Sequence, residues 1–154
     1  MKKNAFKMSK SNLTIITVFF LFFLFLKVGT ANEILMGTKD DSPRWYCGWL
    51  ELNNPTDFSQ SDKLELIIGG TAEKIKIRLL PKGSDPNTQT GILPKIYDVP
   101  KNNRVVLIQL ESNRPNIVQI SVHGGPNPWG KYPLGGSNGP ATLEQVIVKR
   151  KNAK

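Results

Sequence analysis

The chain has very few of the residues that build covalent or metal-bound scaffolds. Its 154 residues include one cysteine, Cys47, and one histidine, His123. One cysteine cannot form a disulfide within the chain or a cysteine-based zinc site, and one histidine cannot build a multi-histidine metal centre. The sequence also lacks a nucleophile elbow: Gly135 to Gly139 match the Gly-x-Ser-x-Gly pattern, but they lie in a Gly/Pro-rich loop before a strand-like run and not on a strand-to-helix turn. These absences exclude disulfide scaffolds and metal sites built from cysteines or several histidines, and they disfavour the serine hydrolases that need such an elbow.

Acidic residues are missing from the first 31 residues. A lysine-rich stretch (residues 1–12) precedes fourteen almost wholly apolar residues, Leu13 to Leu26, and the small residues Gly29, Thr30 and Ala31 follow. This three-part pattern is typical of a secretory signal peptide, whereas a bilayer span needs about 20 apolar residues. We therefore predict that residues 1–31 are a cleaved signal peptide. The protein would be secreted or periplasmic, and it would touch a membrane only through this segment if it stays uncleaved.

Much of the positive charge belongs to that segment. Without it, 16 Lys and Arg residues stand against 12 Asp and Glu residues, so the formal net charge falls from +9 to +4. Nucleic-acid binding needs basic residues clustered on the folded domain. Lys74, Lys76 and Arg78 form a short basic stripe, and such a stripe is typical of a solvated strand face. No aromatic residues interleave with it or with the basic run 149–151. We predict no nucleic-acid partner.

No segment of ten or more residues after the signal keeps a helical period, but several alternate in the manner of strands. Lys63 to Ile68 and Glu73 to Leu79 both alternate, and Gly69-Gly70-Thr71 lies between them. This pattern predicts an antiparallel hairpin. Its second strand would bury every other residue and expose the residues between them: Ile75, Ile77 and Leu79 inside, with Lys74, Lys76 and Arg78 outside.

The other strand-like runs are separated by long connections rich in glycine and proline. They are Arg44–Leu52, which ends at Asn53-Asn54-Pro55, then Arg104–Leu110, Ile117–His123 and Thr142–Lys149. Residues 81–100 and 124–140 form long loops, and a loop such as 81–100 is either functional or wraps a sheet edge. We predict an all-β fold, an antiparallel two-layer β-sandwich of the jelly-roll type. It would span residues 44–150, after an extended segment at 32–43 and before a basic tail at 151–154.

The loop from His123 to Asn138 is the strongest candidate for a ligand site. It combines aromatic rings and polar groups on a backbone rich in proline and glycine: His123, Asn127, Trp129, Tyr132 and Asn138. Sugar recognition needs this mixture, because an aromatic face packs on the C–H face of a pyranose while amides bond its hydroxyl groups. In the alternative interpretation, Trp129 and Tyr132 only cover the open end of the core.

A second aromatic cluster surrounds the cysteine. Alternation places Trp45, Cys47 and Trp49 on one face, with Tyr46 on the other. A lone cysteine among aromatic residues is typically a small buried hydrophobe, and we predict that it lies in the core. A Cys47–His123 nucleophile pair would need spatial adjacency and an activated thiolate. We predict no enzymatic activity and keep a Cys/His-dependent hydrolase as the alternative.

Loop aspartates could supply oxygen ligands to a calcium ion. The candidates are Asp40, Asp41, Asp57, Asp62 and Asp85, and none of them forms the spaced acidic loop of an EF-hand. We predict no cofactor and leave a structural calcium open.

The strand order, the Gly/Asn/Trp-rich loop and the ending GPATLEQVIVKR resemble galactose-binding-like jelly-roll domains over most of residues 44–150. This resemblance implies a binding module that takes carbohydrate through loops at one end of the sandwich, sometimes with a structural calcium. It assigns no residue. We therefore predict an exported, non-catalytic, carbohydrate-binding module.

A second resemblance is to the chagasin-type cysteine-protease inhibitors. Asn54-Pro55-Thr56 is similar to the start of their first inhibitory loop and Arg114-Pro115 to part of another, but Asp57 and Asn116 stand where that family has Thr and Trp. The alternative function is therefore an envelope or extracellular protein-interaction domain, adhesive or inhibitor-like, with an envelope protein as its partner.

Overall fold

The described part of the chain is built from strands. The structure is a computed structural model that describes residues 31–42, 47–125 and 139–151, and within them it has nine strands and no helix. In chain order they are β1 (Ala31–Ile34), β2 (Gly37–Ser42), β3 (Cys47–Phe58), β4 (Lys63–Gly70), β5 (Lys74–Pro81), β6 (Tyr97–Asp98), β7 (Val105–Gln109), β8 (Arg114–His123) and β9 (Ala141–Arg150). The predicted all-β class is confirmed.

The strands form two antiparallel sheets that pack face to face. Sheet 1 has the order β1-β9-β4-β7, and sheet 2 has the order β2-β3-β8-β5-β6. Four of the pairings are nested along the chain, since β1 pairs with β9, β3 with β8, β4 with β7 and β5 with β6. Successive nested pairs belong alternately to sheet 1 and sheet 2. The predicted two-layer antiparallel β-sandwich is thus confirmed.

The core lies between the sheets and follows the period-two pattern of the strands. From sheet 1, β4 contributes Leu64, Leu66 and Ile68, which are fully buried. From sheet 2, β5 contributes alternate residues beginning at Ile75, and β8 contributes Ile120 and Val122. Burial of these branched apolar side chains is the main source of stability in such a fold.

The predicted hairpin between the fourth and fifth strands is wrong. Both strands exist with the predicted alternation, but β4 lies in sheet 1 and β5 in sheet 2, so the short connection crosses between the sheets. Gly70 turns the chain with a φ of 75°, and Ala72 is fully buried at the crossing. The Arg104 side chain donates hydrogen bonds to the carbonyl oxygens of Ile68, Gly69 and Ala72. These bonds satisfy backbone groups that a hairpin ladder would otherwise have used.

The N-terminal segment predicted as extended consists of strands that belong to the sandwich. β1 pairs with β9 in sheet 1, and β2 pairs with β3 in sheet 2. Leu35, between them, is buried in the core. The predicted signal segment lies outside the described residues except for Ala31, which begins β1, and residues 152–154 of the predicted tail also lie outside them.

The strand that contains Cys47 does not end at Leu52 as predicted. β3 continues to Phe58 through Asn53-Asn54-Pro55, with register shifts against β8 after Glu51 and again after Thr56. Its pairing with β2 ends at Leu52. Pro55, which has no backbone N–H, therefore lies where β2 no longer requires a donor, and such edge positions tolerate proline.

Gly70 offers a test of the crossing between the sheets. An added Cβ at Gly70 would lie 2.3 Å from the backbone oxygen of Pro140, whereas at Gly83, with a φ of 79°, it would meet nothing within 4 Å. We expect Gly83→Ala to cost only about 1 kcal/mol for the left-handed backbone. Gly70→Ala should cost about 3 kcal/mol, because it adds a backbone clash. Urea unfolding of both variants measures the difference, and equal costs would contradict the tight crossing.

Candidate functional site

The predicted ligand loop starts and ends at one place on the sandwich. Its described residues are His123, Gly124 and Gly125 at the start, and Gly139 just after its end. The other four predicted site residues lie outside the described residues: Asn127, Trp129, Tyr132 and Asn138.

The described residues on the two sides of segment 126–138 lie in contact. A Cβ added to Gly124 would lie 2.6 Å from the backbone oxygen of Gly139 and 2.7 Å from the Ala72 side chain. The backbone N–H groups of Thr71 and Ala72 both donate to the Pro140 oxygen, at 2.9 and 3.0 Å. The base of the predicted ligand loop is therefore a fixed, closely packed part of the fold.

The second aromatic segment joins the sandwich at the same end. Cys47, the first residue of β3, pairs directly with His123, the last residue of β8. The sequence immediately before Cys47 contains Trp45 and Tyr46, which lie outside the described residues. Four of the six Trp and Tyr residues of the chain thus occur in two segments, 43–46 and 126–138, that attach to neighbouring strand ends.

Sheet 2 carries a row of polar groups on the face turned away from the core. Across β3, β8 and β5, Trp49 is aligned with Ser121 and Arg78. Two residues further along, Cys47 is aligned with His123 and Lys76. We call these six residues the polar face: Cys47, Trp49, Lys76, Arg78, Ser121 and His123. Five of the six are buried, and Trp49 is half-buried.

The prediction that Lys76 and Arg78 are solvated is wrong. They point away from the core as alternation requires, but both are buried, and Arg78 is only 2% exposed. The long connection after β5 returns along this strand, because Leu79 N–H donates to Gly91 O and Leu93 N–H to Ile77 O. Within it, Pro86 O accepts a 2.8 Å hydrogen bond from Arg78 Nη1. Part of the connection 81–100 therefore lies along the edge of sheet 2, which is one of the two roles predicted for it.

The imidazole of His123 is neutral near pH 7. It is 7% exposed, and its Nε2 lies 3.1 Å from the Ser121 hydroxyl. Burial, and secondarily the charge of Arg78, lower the pKa of His123 to about 4. A buried imidazole resists protonation because the charged form loses its hydration. His123 can accept or donate one hydrogen bond at each ring nitrogen but carries no charge there at neutral pH.

The cysteine is adjacent to the histidine but is not activated by it. Cys47 and His123 are cross-strand neighbours, so the adjacency that a nucleophile pair requires is present. Burial, and then the charges of Asp41 and Asp40, raise the pKa of Cys47 to about 11. The thiol therefore keeps its proton near pH 7, and the thiolate is the nucleophilic form. Cys47 is buried as predicted, although on the polar face rather than in the core between the sheets.

Three of the candidate calcium ligands accept hydrogen bonds from the backbone. The carboxylates of Asp57, Asp62 and Asp85 each accept a backbone N–H at 2.7 to 2.8 Å. Asp62 also pairs with Arg150 at 3.2 Å. In the part of the chain that the structure describes, no group of three or more His, Cys, Asp or Glu side chains could hold a metal ion.

The segments that resemble protease-inhibitor loops lie at the opposite end from His123. Asn54–Thr56 belongs to the last part of β3, and Arg114-Pro115 begins β8. The two strands pair there, since Thr56 is aligned with Ile117 and Phe58 with Arg114. The structure thus brings these two segments together, away from the predicted ligand loop.

Ser121 was missed by the sequence analysis. It lies two residues before His123 in an alternating strand, which places both side chains on the same face. That spacing was visible in the sequence, but only the observed pairing shows that the face also holds Arg78.

Within residues 31–42, 47–125 and 139–151, no helix is long and apolar enough to cross a membrane. Comparison with protein-family models, with curated proteins and with solved structures finds no match to this chain.

Proposed function

We propose that the protein is a non-catalytic binding module that recognises carbohydrate at the end of the sandwich where β8 ends and β9 begins. One observation carries this proposal. The two aromatic-rich segments of the sequence attach at the same end, through the Cys47–His123 pair and the Gly124–Gly139 contact. Aromatic rings gathered at one end can provide a stacking surface for a pyranose.

The polar groups beside these attachment points support the same proposal. The neutral imidazole of His123 and the hydroxyl of Ser121 lie at or near the base of the loop. Both side chains are buried and bonded to each other, so they hold the base of the loop, and the loop itself would supply the groups that bond sugar hydroxyls. Asn127 and Asn138 would add amides from the loop, with Trp129 and Tyr132 as the stacking rings.

The strand order supports the jelly-roll interpretation. The nested pairs β1–β9, β3–β8, β4–β7 and β5–β6 alternate between the two sheets, as expected when a long antiparallel ribbon folds over on itself. Jelly rolls include lectin domains among their known members. In this proposal the ligand loop connects the last two strands of the roll.

The protonation states on the polar face favour binding over catalysis. A cysteine nucleophile needs a thiolate and a base positioned to generate it. The raised pKa of Cys47 and the lowered pKa of His123 both oppose such an ion pair. A secreted or periplasmic location, following cleavage after Ala31, remains part of the proposal and rests on the N-terminal sequence pattern.

Replacing Trp129 with alanine tests the site. If Trp129 stacks on a sugar ring, Trp129→Ala should abolish binding to a glycan array while the melting temperature changes by only a few degrees. If it covers the core instead, the same change should cost about 3–5 kcal/mol of stability. The binding assay and a thermal melt on the same preparation separate these outcomes.

The matched control is Trp49→Ala, which removes the same ring from a half-buried position near the start of β3. This variant should lose stability and keep glycan binding in its folded fraction. A wild-type protein that binds no glycan would contradict the proposal. A pull-down from host extract that captures an envelope protein instead would favour the protein-interaction alternative.

A further inference from the structure

One edge strand of the sandwich lacks the features that usually prevent pairing with another strand. β7 is the last strand of sheet 1, and among the described residues it pairs only with β4. The two strands run from the Lys63–Gln109 pair to the Ile67–Val105 pair without a register shift, so no bulge twists this edge away. Natural sheets usually protect their edges with short strands, charges, prolines or bulges.

The other three edge strands carry such protection. β1 has four residues, and β6 has two. β2 carries three charged residues in succession, Lys39, Asp40 and Asp41. By contrast, Val105 to Leu110 is a run of six uncharged residues without proline or glycine.

The backbone of β7 offers hydrogen-bonding groups on its outer side. Ile68 N–H donates to Arg104 O at 3.0 Å, which sets the alternation of the ladder. Since bonded and non-bonded pairs alternate in an antiparallel pair, Val106 and Ile108 direct their backbone groups toward β4. Leu107 and Gln109 therefore direct theirs outward, as does the carbonyl of Val105.

We propose that β7 pairs with β7 of a second copy of this chain, antiparallel and centred on Leu107, to give a two-fold dimer with a continuous eight-stranded sheet. In this register each Leu107 N–H meets the Leu107 carbonyl of the other copy. Each Gln109 N–H meets a Val105 carbonyl. The pairing uses the outward groups of both copies and breaks no bond to β4.

The exposed side chain at the centre of β7 can pack against its own copy. Leu107 is 61% exposed, and the two copies of Leu107 would be neighbours across the new pair. Residues 105–110 carry no charge, so self-pairing brings no like charges together along the strand. The charged side chains at its two ends are already engaged within each copy, because Arg104 donates to carbonyl oxygens of the crossing and Glu111 pairs with Lys95 at 2.9 Å. Because the two-fold register places the exposed Leu107 against itself and matches each outward N–H with an outward carbonyl, a second copy is the occupant that the edge fits best.

Sedimentation velocity tests the proposal. The sample is the protein in the form that the expressing cell produces. The wild type should form a dimer that dissociates on dilution. Leu107→Lys should raise the dissociation constant by at least about tenfold, because charged edge residues oppose strand pairing. The new ammonium would lie beside Glu65, the cross-strand neighbour of Leu107, so the monomer should stay folded. The matched control is Ile34→Lys, on the same sheet face at the opposite edge and 53% exposed, which should leave the dissociation constant within about twofold.

Amide hydrogen exchange provides a second, residue-level measurement. The Leu107 and Gln109 amides should exchange quickly at low protein concentration and slowly at high concentration. The Val106 and Ile108 amides should be protected at both, because they bond to β4. A wild type that stays monomeric at high concentration would overturn the proposal. So would a dimer that both lysine variants preserve, or one in which the Leu107 and Gln109 amides gain no protection.

Discussion

Replacing Phe58 with alanine is expected to lower the free energy of unfolding by about 3–5 kcal/mol, the usual cost of removing a large aromatic ring from a core. Phe58 is 1% exposed and belongs to the apolar cluster between the sheets. It ends β3 after two register shifts, where the backbone is less regular than elsewhere in the sheet. Its ring is therefore a main anchor of this end of the strand, and urea unfolding measures the loss.

The control for Phe58→Ala is Phe58→Leu, which keeps most of the apolar contact and should cost less than half as much. Both variants should bind glycan normally once folded, because Phe58 and His123 lie at opposite ends of the paired strands β3 and β8. A change of less than about 1 kcal/mol in the alanine variant would contradict the buried anchor, since surface substitutions typically stay below that size.

Alternation in the sequence identified the strands well but not their partners. The runs that became β4, β5, β7, β8 and β9 were each located to within a few residues. A period-two pattern states which side chains share a face, and it does not state which sheet the strand joins. The Gly-Gly turn suggested a hairpin for this reason, whereas the pairing of β4 with β9 depends on contacts some 80 residues apart in the chain. The proline at position 55 was misleading because its effect depends on whether a neighbouring strand needs its N–H.

The same limit applies to the candidate site. Lys76 and Arg78 were correctly placed on the outer face of their strand, but no local pattern indicated that residues 82–93 fold back beside it. The neighbourhood of Cys47 and His123 is set by pairing across 76 positions, and the pKa of each group follows from that burial. Ser121 alone could have been found, from its spacing of two to His123.

The pH dependence of stability should report on His123. Its pKa is about 4 in the folded protein, against 6.5 for an unperturbed histidine. Above pH 6.5 both the folded and the unfolded states hold a neutral imidazole, so this residue contributes no pH dependence. Between pH 6.5 and about 4 the unfolded chain binds a proton that the folded protein does not. Unfolding therefore becomes easier as the pH falls through this window.

The expected size follows from the difference between the two pKa values. The free energy of unfolding should fall by about 3 kcal/mol by pH 4, because a difference of one in pKa corresponds to about 1.36 kcal/mol. Urea unfolding at several pH values should show this loss in the wild type. In His123→Gln the loss should be smaller by about the same amount, because the amide can keep a hydrogen bond to Ser121 without titrating. Cys47 stays protonated throughout this range, so it adds nothing to the difference. Identical pH profiles for the two proteins would mean that His123 is solvated, and the buried polar face described above would then be wrong.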